Sequence, residues 1–342
     1  MDNSQLIDII IPAFKAQDFI YKTLSSIAMQ TVAHRCKVII VNDADGFGYS
    51  SIVDYFNKIL DIKEITLETN SGPGVARQFG IDNTNCPYII FMDADDTFMN
   101  AYSLESIIQS VEKNKEPSLL IFSFYESFKN DKIVFGKRNE NMVWVFAKLY
   151  NRNFLEKNNI RFNKSRANED VYFNTLIELS LSSVEETPIF IDLPVYMWHY
   201  NENSITRKNN HEFSYNESLM AYAQNAIAVF SEAKRRKNIK KQHLNRKALE
   251  FMTILYYHYL IICEENPKIR EENFKLCVEF YDKICSTLEY IYNPITIKKY
   301  AIEDLRLRRD NVKDIIPELT YNQFIDKIKR ELKNQEVINE ES

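Results

Sequence analysis

Three carboxylates broken by a single alanine, Asp93, Asp95 and Asp96, close the short apolar run at 88–92. Acids crowded this tightly repel one another unless a cation, or hydrogen-bond donors from a ligand, offset the charge. A turn that only caps the helix expected near Ser103 would use the same residues. Asp43 also follows an apolar run, where its carboxylate could accept from the N–H of a base edge or cap a turn. In Asn70-Ser71-Gly72-Pro73-Gly74-Val75-Ala76-Arg77, small residues would let backbone approach a phosphate at a helix start. The stretch is neither G-x-x-x-x-G-K-S/T nor G-x-G-x-x-G, and Arg77 is its diphosphate candidate. Asp170 opens an amphipathic helix, either as a cap or as a general base for a hydroxyl, with Glu169 or Arg166 to assist. His199 sits in the aromatic run Tyr196-Met197-Trp198-His199-Tyr200, where a structural histidine is the plainer reading. The other four histidines share no ligand spacing.

The elements that must carry these groups follow from hydrophobic period. Apolar runs at 6–11, 36–41 and 88–92 read as strands, the first and last of them buried, 62–67 reads as a further strand, and helical spacing at 17–30, 50–60 and 75–83 fills the intervals. Such alternation implies a parallel sheet with right-handed crossovers. Asp43 and the Asp93 group then share the carboxyl edge of one sheet, where open α/β folds bind ligands. Beyond it, 103–113 reads as a helix, 118–124 as a strand, 128–138 as a hairpin or irregular excursion, 142–146 as β-prone and 148–158 as a helix. A polar cap at 168–170 opens another helix, and Pro194 makes 189–200 at best an edge or interrupted strand. From about Glu212 helical patterns dominate, at 219–234, 244–263, 274–292 and 321–332, and the tail 334–342 reads as frayed. The expected division is 1–210 for the α/β domain and 211–342 for an all-helical region that binds acceptor, oligomerises or contacts a membrane or partner.

The composition narrows the function classes. With 342 residues, net charge -5 and a pI near 5.7, the chain lacks the basic footprint of nucleic-acid binders. Its five cysteines form no C-x-x-C pair, which suits a reducing compartment. The N-terminal residues do not resemble a signal peptide, and no apolar run approaches the roughly 20 residues that span a bilayer. A cytoplasmic location is expected, with docking on the inner face of a membrane left open.

Taken in order, these pieces resemble the family 2 glycosyltransferases of GT-A fold. Ile11-Pro12-Ala13-Phe14-Lys15 resembles I-P-x-Y/F-N, with Lys15 in place of Asn; Val41-Asn42-Asp43 resembles V-D/N-D-G-S, with Ala44-Asp45 in place of Gly-Ser. Residues 70–81 are similar to N-x-G-x-x-x-A-R-N-x-G-I, 88–96 to Y-I-x-F-L-D-x-D-D, and Asn168-Glu169-Asp170-Val171-Tyr172-Phe173 to x-E-D-x-x-F. Residues 196–206 resemble Y-x-Y-R-x-x-x-x-S-I-T, with His199 where Arg is common and Ser204 matching the Ser. The likeness covers about 6–206.

What the resemblance implies is a GT-A nucleotide-sugar-binding fold with a mainly parallel central sheet, followed by the all-helical C-terminal region. The implied activity moves a hexose or N-acetylhexosamine from a UDP-sugar to a hydroxyl by metal-assisted direct displacement with inversion. The acceptor would be a glycan, polyol-phosphate polymer, lipid-linked sugar or protein, as in cell-surface polysaccharide biosynthesis. Asp43 would read the uracil, flanked by Pro12 and Phe14. Arg77 would lie near base and diphosphate, Asp93 near the ribose and Ala94 beside it at the donor. Asp95, with His199 as a second ligand, would bind Mn²⁺ or Mg²⁺; Asp170 would be the base, with Glu169 and Ser204 in support. Two other readings stay open: a non-catalytic nucleotide-sugar-binding or assembly subunit, and a sugar nucleotidyltransferase, which the missing N-terminal glycine-rich, basic loop argues against.

Overall fold

The computed structural model describes residues 4–128, 132–136, 142–165, 167–201, 211–265, 267–285 and 319–341. The chain divides into two compact units, Met1–Asn209 and Asn210–Ser342.

The first unit grows from three short apolar strands. β1 (Ile7–Ala13), β2 (Cys36–Asn42) and β4 (Tyr88–Phe91) are buried on both faces, as parallel strands covered by helices must be. β1 pairs in parallel with β2 and β4, and β3 (Asp61–Thr66) pairs with β2. Their crossovers are α1 (Ile20–Ala28), α2 (Ser50–Phe56) and α3 (Pro73–Asp82). In α3, Pro73 occupies the first turn, where its missing N–H is no loss. Register places Ala13 opposite Asn42 and Ile10 opposite Phe91, so β1, β2 and β4 end at one rim.

The rest of the sheet is mixed. It adds β5 (Thr97–Phe98), β6 (Leu119–Ser127), β7 (Ile133–Gly136), β8 (Lys148–Asn151) and β9 (Ile189–Trp198) in the order β3-β2-β1-β4-β8-β6-β9-β5, with β7 on β6. β8 is antiparallel to both β4 and β6, β5 is antiparallel to β9, and β6 runs parallel to β9. The helices are α4 (Ser103–Lys113), α5 (Arg152–Lys157) and α6 (Glu169–Ser183). One local expectation changes here. Residues 148–151 form a strand rather than the start of a helix, because pairing on both sides outweighs the helical spacing of Leu149, Tyr150, Phe154 and Leu155. β9 is interrupted at Pro194 as its missing donor requires: there the strand is laddered to β6 alone, the register shifts on either side of Ser123, and β5 pairs only with Tyr196 and Met197.

Arg152, at the start of α5, fastens this sheet from below. It is buried, and its guanidinium donates to the carbonyls of Cys86 (2.8 Å) and Ile81 (2.9 Å), to Thr84 Oγ1 (2.7 Å) and to the fully buried Asp8 carboxylate (2.9 Å). Asp8, the lone acid in the first apolar run, is thus a tie between β1 and the connection entering β4. Among the described cysteines, Cys36 and Cys86 are free and buried, as the packing reading anticipates.

The second unit contains α7 (His211–Arg235), α8 (Lys241–Glu265), α9 (Pro267–Lys283) and α10 (Tyr321–Glu341). Its core is aromatic: Phe230, Phe251 and Phe280 are buried with edge-to-face and tilted contacts among them, and the buried Phe324 meets Phe274 edge-to-face. α10 continues to Glu341, where the sequence suggests fraying. No helix among the described residues is long and apolar enough to cross a membrane.

Candidate active site

The strand ends at the rim are held by an unusual number of side-chain-to-backbone bonds. Asp43 leaves β2 and turns its carboxylate onto the 70–74 turn, accepting from the N–H of Ser71 (2.7 Å) and of Gly72 (2.8 Å). It is buried, and two of its lone-pair sites brace the loop that precedes α3. Gly72 has φ near 89°, a left-handed conformation suited to glycine. Asp45 works in the same way on the first loop. It accepts from Lys15 N (2.9 Å), Gln17 Nε2 (3.1 Å), Phe47 N (2.9 Å) and the Tyr49 hydroxyl (2.7 Å). Lys15 and Ala44, two departures from the family pattern, both have φ near 53°. The Asp45 carboxylate holds the Lys15 amide in place. Pro12 pairs opposite Val41 near the end of β1, and Phe14 just beyond is 48% exposed at the rim.

The acids after β4 do not share one environment. Asp96 is fully buried, and accepts from the Tyr196 hydroxyl (2.7 Å) and from His199 N (2.8 Å). It therefore ties the end of β9 to the acidic turn. Burial, reinforced by Asp93 and Asp95, pushes its carboxyl well above the usual range, while the bonds from Tyr196 and His199 oppose the shift. Asp95 accepts from Asn201 Nδ2 (2.7 Å) and is half-buried. Ala94 is buried, and its carbonyl accepts from Thr23 Oγ1 (2.8 Å). Asp93 keeps 35% of its side chain exposed and meets Arg77 Nη2 at 2.7 Å.

Arg77 links two parts of the site. Its other nitrogen, Nη1, donates to Glu169 at 2.5 Å, so one buried guanidinium bridges the acidic turn after β4 to the start of α6. Asp93 and Glu169 hold the Arg77 charge in place against the cost of its burial. α3 and α6 approach so closely here that a Cβ on Gly74 would lie 2.7 Å from Glu169 Cγ and 3.3 Å from Asn163 O. Asp170 follows Glu169, after a left-handed Asn168 at φ 53°. Desolvation of its carboxyl, then the neighbouring Glu169 charge, push Asp170 up to about 7; Arg77 and Lys148 oppose them.

His199 is in its neutral form: burial, helped by Lys22, pushes it down to about 4. Nδ1 faces Lys22 Nζ (3.3 Å) and Nε2 faces Thr97 Oγ1 (2.8 Å). With an ammonium donating to Nδ1, the proton is assigned to Nε2. A metal at His199 would have to displace one of these two partners. No group of three or more His, Cys, Asp or Glu among the described residues is already assembled around a cation position. The donor set still suits a hard divalent ion, because Asp95 and Asp93 are partly open and the crowding that raises Asp96 would be relieved by a cation. Ser204 and Arg166 lie outside the described residues.

Two site features lay outside the sequence reading. Lys148 on β8 is buried within reach of the Asp170 charge. Burial pushes it down to about 7, with Asp170 acting in the opposite direction. The second is an aromatic stack of Phe124, Trp144, Phe146, Tyr196 and Trp198, whose tyrosine hydroxyl reaches Asp96 and accepts from Asp93 N (3.2 Å). The Tyr196-Met197-Trp198 run could have signalled the stack; Lys148 carried no signal, because its strand read as a helix.

Comparison with known proteins bears on the family and the fold. Residues 8–172 match the model of "Glycosyl transferase family 2". Glycosyltransferase GlyA of Streptococcus pneumoniae is 23% identical over 227 residues, covering 59% of this chain and 31% of GlyA. The poly(ribitol-phosphate) beta-N-acetylglucosaminyltransferase TarS of Staphylococcus aureus is 28% identical over 115 residues, 33% of this chain and 20% of TarS. The chain spans less than two thirds of the length of the curated relatives it matches. Among solved structures, TarS 1-349 in complex with UDP-GlcNAc superposes with a TM-score of 0.65 at 16% identity, covering 88% of this chain and 85% of that one. Mannosyltransferase PcManGT from Pyrobaculum calidifontis, in complex with GDP-Man and Mn²⁺, gives 0.50 at 12% identity, covering 90% and 81%. The parallel half of the sheet, the acids at its carboxyl rim and the family match together identify residues 8–172 as a glycosyl transferase family 2 domain, with the GT-A fold.

Proposed function

We propose that this chain transfers a hexose or N-acetylhexosamine from a UDP-sugar to an acceptor hydroxyl with inversion at the anomeric carbon. The observation that supports the reading most is the bridge Asp93–Arg77–Glu169, which ties the acidic turn after β4 to the residue next to Asp170. A base must be poised near the working pH, and a carboxyl pushed up to about 7 is so poised.

In this reading Asp170 takes the proton of the acceptor hydroxyl as its oxygen attacks the anomeric carbon. The bond from that carbon to the diphosphate oxygen breaks, and UDP leaves with the electron pair. Arg77 fixes the spacing between donor rim and base, and this positioning role is better supported than a direct diphosphate contact because both its terminal nitrogens are engaged. Phe14 and Pro12 flank the uracil, Asp43 orders the glycine turn and faces the base, and Asp93 with Ala94 lies at the ribose. Asp95, with His199 if its ring exchanges a partner, would hold Mn²⁺ or Mg²⁺. Such an ion supplies Lewis-acid neutralisation of the departing diphosphate. PcManGT holds Mn²⁺ with its GDP-sugar, and TarS takes UDP-GlcNAc. These support a divalent ion and a UDP-linked amino sugar here, with a polyol-phosphate or glycan acceptor.

The test is UDP release across a donor and acceptor panel, with and without EDTA, for wild type, Asp170→Asn and Asp95→Asn. Turnover confined to UDP-sugars, lost in chelator and in both variants, is expected. Full activity in EDTA removes the metal role, unaltered turnover in Asp170→Asn removes the base, and UDP binding with no turnover on any acceptor favours an assembly subunit.

A further inference from the structure

Lys148 is not accounted for by the transfer chemistry above, and burying an ammonium is costly unless it is partnered. Its Nζ donates to the carbonyl of Trp144. The same carbonyl accepts from Asn174 Nδ2 at 3.0 Å, and Asn174 also donates to Val143 O at 2.8 Å. Asn174 Oδ1 lies 3.0 Å from the hydroxyl of Tyr150, which is on β8. Residue 174 is one turn of α6 after residue 170, so side chains at the two positions are neighbours on one helix face. A lysine and an asparagine meeting on one oxygen therefore bring the ammonium to α6 one turn from Asp170, within reach of its charge. Burial of Lys148 is nearly complete, at 4% exposure, and Asn174 is at 0%.

We propose that Lys148 is a positioning residue for the transfer step, tying the 142–147 segment and β8 to α6 one turn from Asp170 and balancing the acidic charge that Asp170 shares with Glu169. The inference rests on Asp170 being the base. The charged groups acting on Asp170 are Glu169 on its own helix, Arg77 from α3 and Lys148 from β8. Of the two cations, Arg77 already joins Asp93 and Glu169, which leaves Lys148 as the counter-charge whose carrier also holds the neighbouring segment. Trp144 lies within the aromatic stack with Phe146 and Trp198, so the same tie fixes the stack's position relative to the base.

The experiment compares full-length wild type with Lys148→Met, Lys148→Gln, Lys148→Arg and Asp170→Asn by the pH dependence of UDP release. Lys148→Gln can keep the donor to Trp144 while losing the charge; Lys148→Arg keeps both. Removing a cation near a carboxyl raises its pKa, so the acidic limb of kcat should move to higher pH in Lys148→Gln and Lys148→Met. At pH 7, kcat should fall about 10-fold or more while KM for the UDP-sugar stays within about threefold, as expected when an interaction with the base rather than the donor is lost. Lys148→Arg should restore the limb and most of the rate. A wild-type limb in Lys148→Gln overturns the charge role, and a wild-type rate in Lys148→Met overturns the positioning role. If Lys148→Met does not fold, the Gln and Arg variants decide the matter by themselves. Undiminished turnover in Asp170→Asn instead overturns the assignment of the base, whatever Lys148 does.

Discussion

Replacing Gly74 by alanine tests whether the close approach of α3 and α6 is what sets the base against the donor rim. The added Cβ would meet Glu169 Cγ at 2.7 Å, about 0.7 Å inside the 3.4 Å at which ordinary contact begins, and Asn163 O at 3.3 Å. Glu169 cannot simply swing aside, because its carboxylate is held by Arg77 at 2.5 Å and its residue is buried. The start of α6 must then shift by a comparable distance, carrying Asp170 with it. Overpacking costs roughly 1–3 kcal/mol, offset by up to about 1 kcal/mol from the better helix propensity of alanine. Stability should fall by about 0–3 kcal/mol, read as the urea midpoint. Catalysis is more sensitive, since a displacement on the order of 1 Å at the reacting groups can cost about 10²-fold. We expect kcat for UDP release to drop roughly 10- to 100-fold. Gly80→Ala is the control: its Cβ would collide with Ile10 and Val41 in the core of the sheet, so it should lower stability more and alter kcat of the folded protein less. A Gly74→Ala enzyme with kcat within twofold of wild type would refute the claim that this helix contact positions Asp170.

Four other outcomes follow from the same geometry. Activity should decline as pH falls through about 7, because the raised carboxyl of Asp170 then gains the proton it must accept; a kcat–pH profile checks this. Since that folded pKa lies above the ordinary 3.8, the native state keeps a proton that the unfolded chain has lost, and its stability declines between about pH 4 and 7. Asp170→Asn should accordingly show a higher Tm than wild type at pH 8 and none of that advantage at pH 4. Arg152→Met strands the buried Asp8 carboxylate and should cost about 3–5 kcal/mol in denaturant unfolding. Tyr196→Phe removes the donor to Asp96 and the acceptor for Asp93 N; a loss of about 1–3 kcal/mol is expected, with weaker UDP binding by calorimetry if the acidic turn shifts.

Much of the α/β half could be read directly, because strands buried on both faces must be continuous apolar runs and their crossovers must show a 3.6-residue period. β1, β2 and β4 with α1 to α3 follow from that alone, and so does the placement of Asp43 and Asp93 on one rim; β3, buried only at Ile62, is an end strand set by its pairing with β2. The mixed half was less legible. Lys148-Leu149-Tyr150-Asn151 has nothing local to separate a strand from a helix, and only its neighbours β4 and β6 decide. Pro194 marks the interruption in β9, but only the pairing of Tyr196 and Met197 with β5 as well as β6 shows that Tyr196 is held against Asp96.

The site divides along the same line. Residue types and order nominated Asp43, Arg77, Asp93, Asp95, Asp170 and His199 only together with the family resemblance, since each taken alone reads as readily as a cap, a surface arginine or a structural histidine. Which acid does what was a matter of tertiary surroundings. Asp96, one residue from Asp95, becomes the buried anchor of β9, while Asp93 remains partly open and pairs with Arg77. Arg77 bridges acids separated by 76 positions in the chain, and Lys148 comes to α6 through the Trp144 carbonyl that it shares with Asn174. Charge and burial act through distance in space, and along the chain these partners are too far apart to reveal one another.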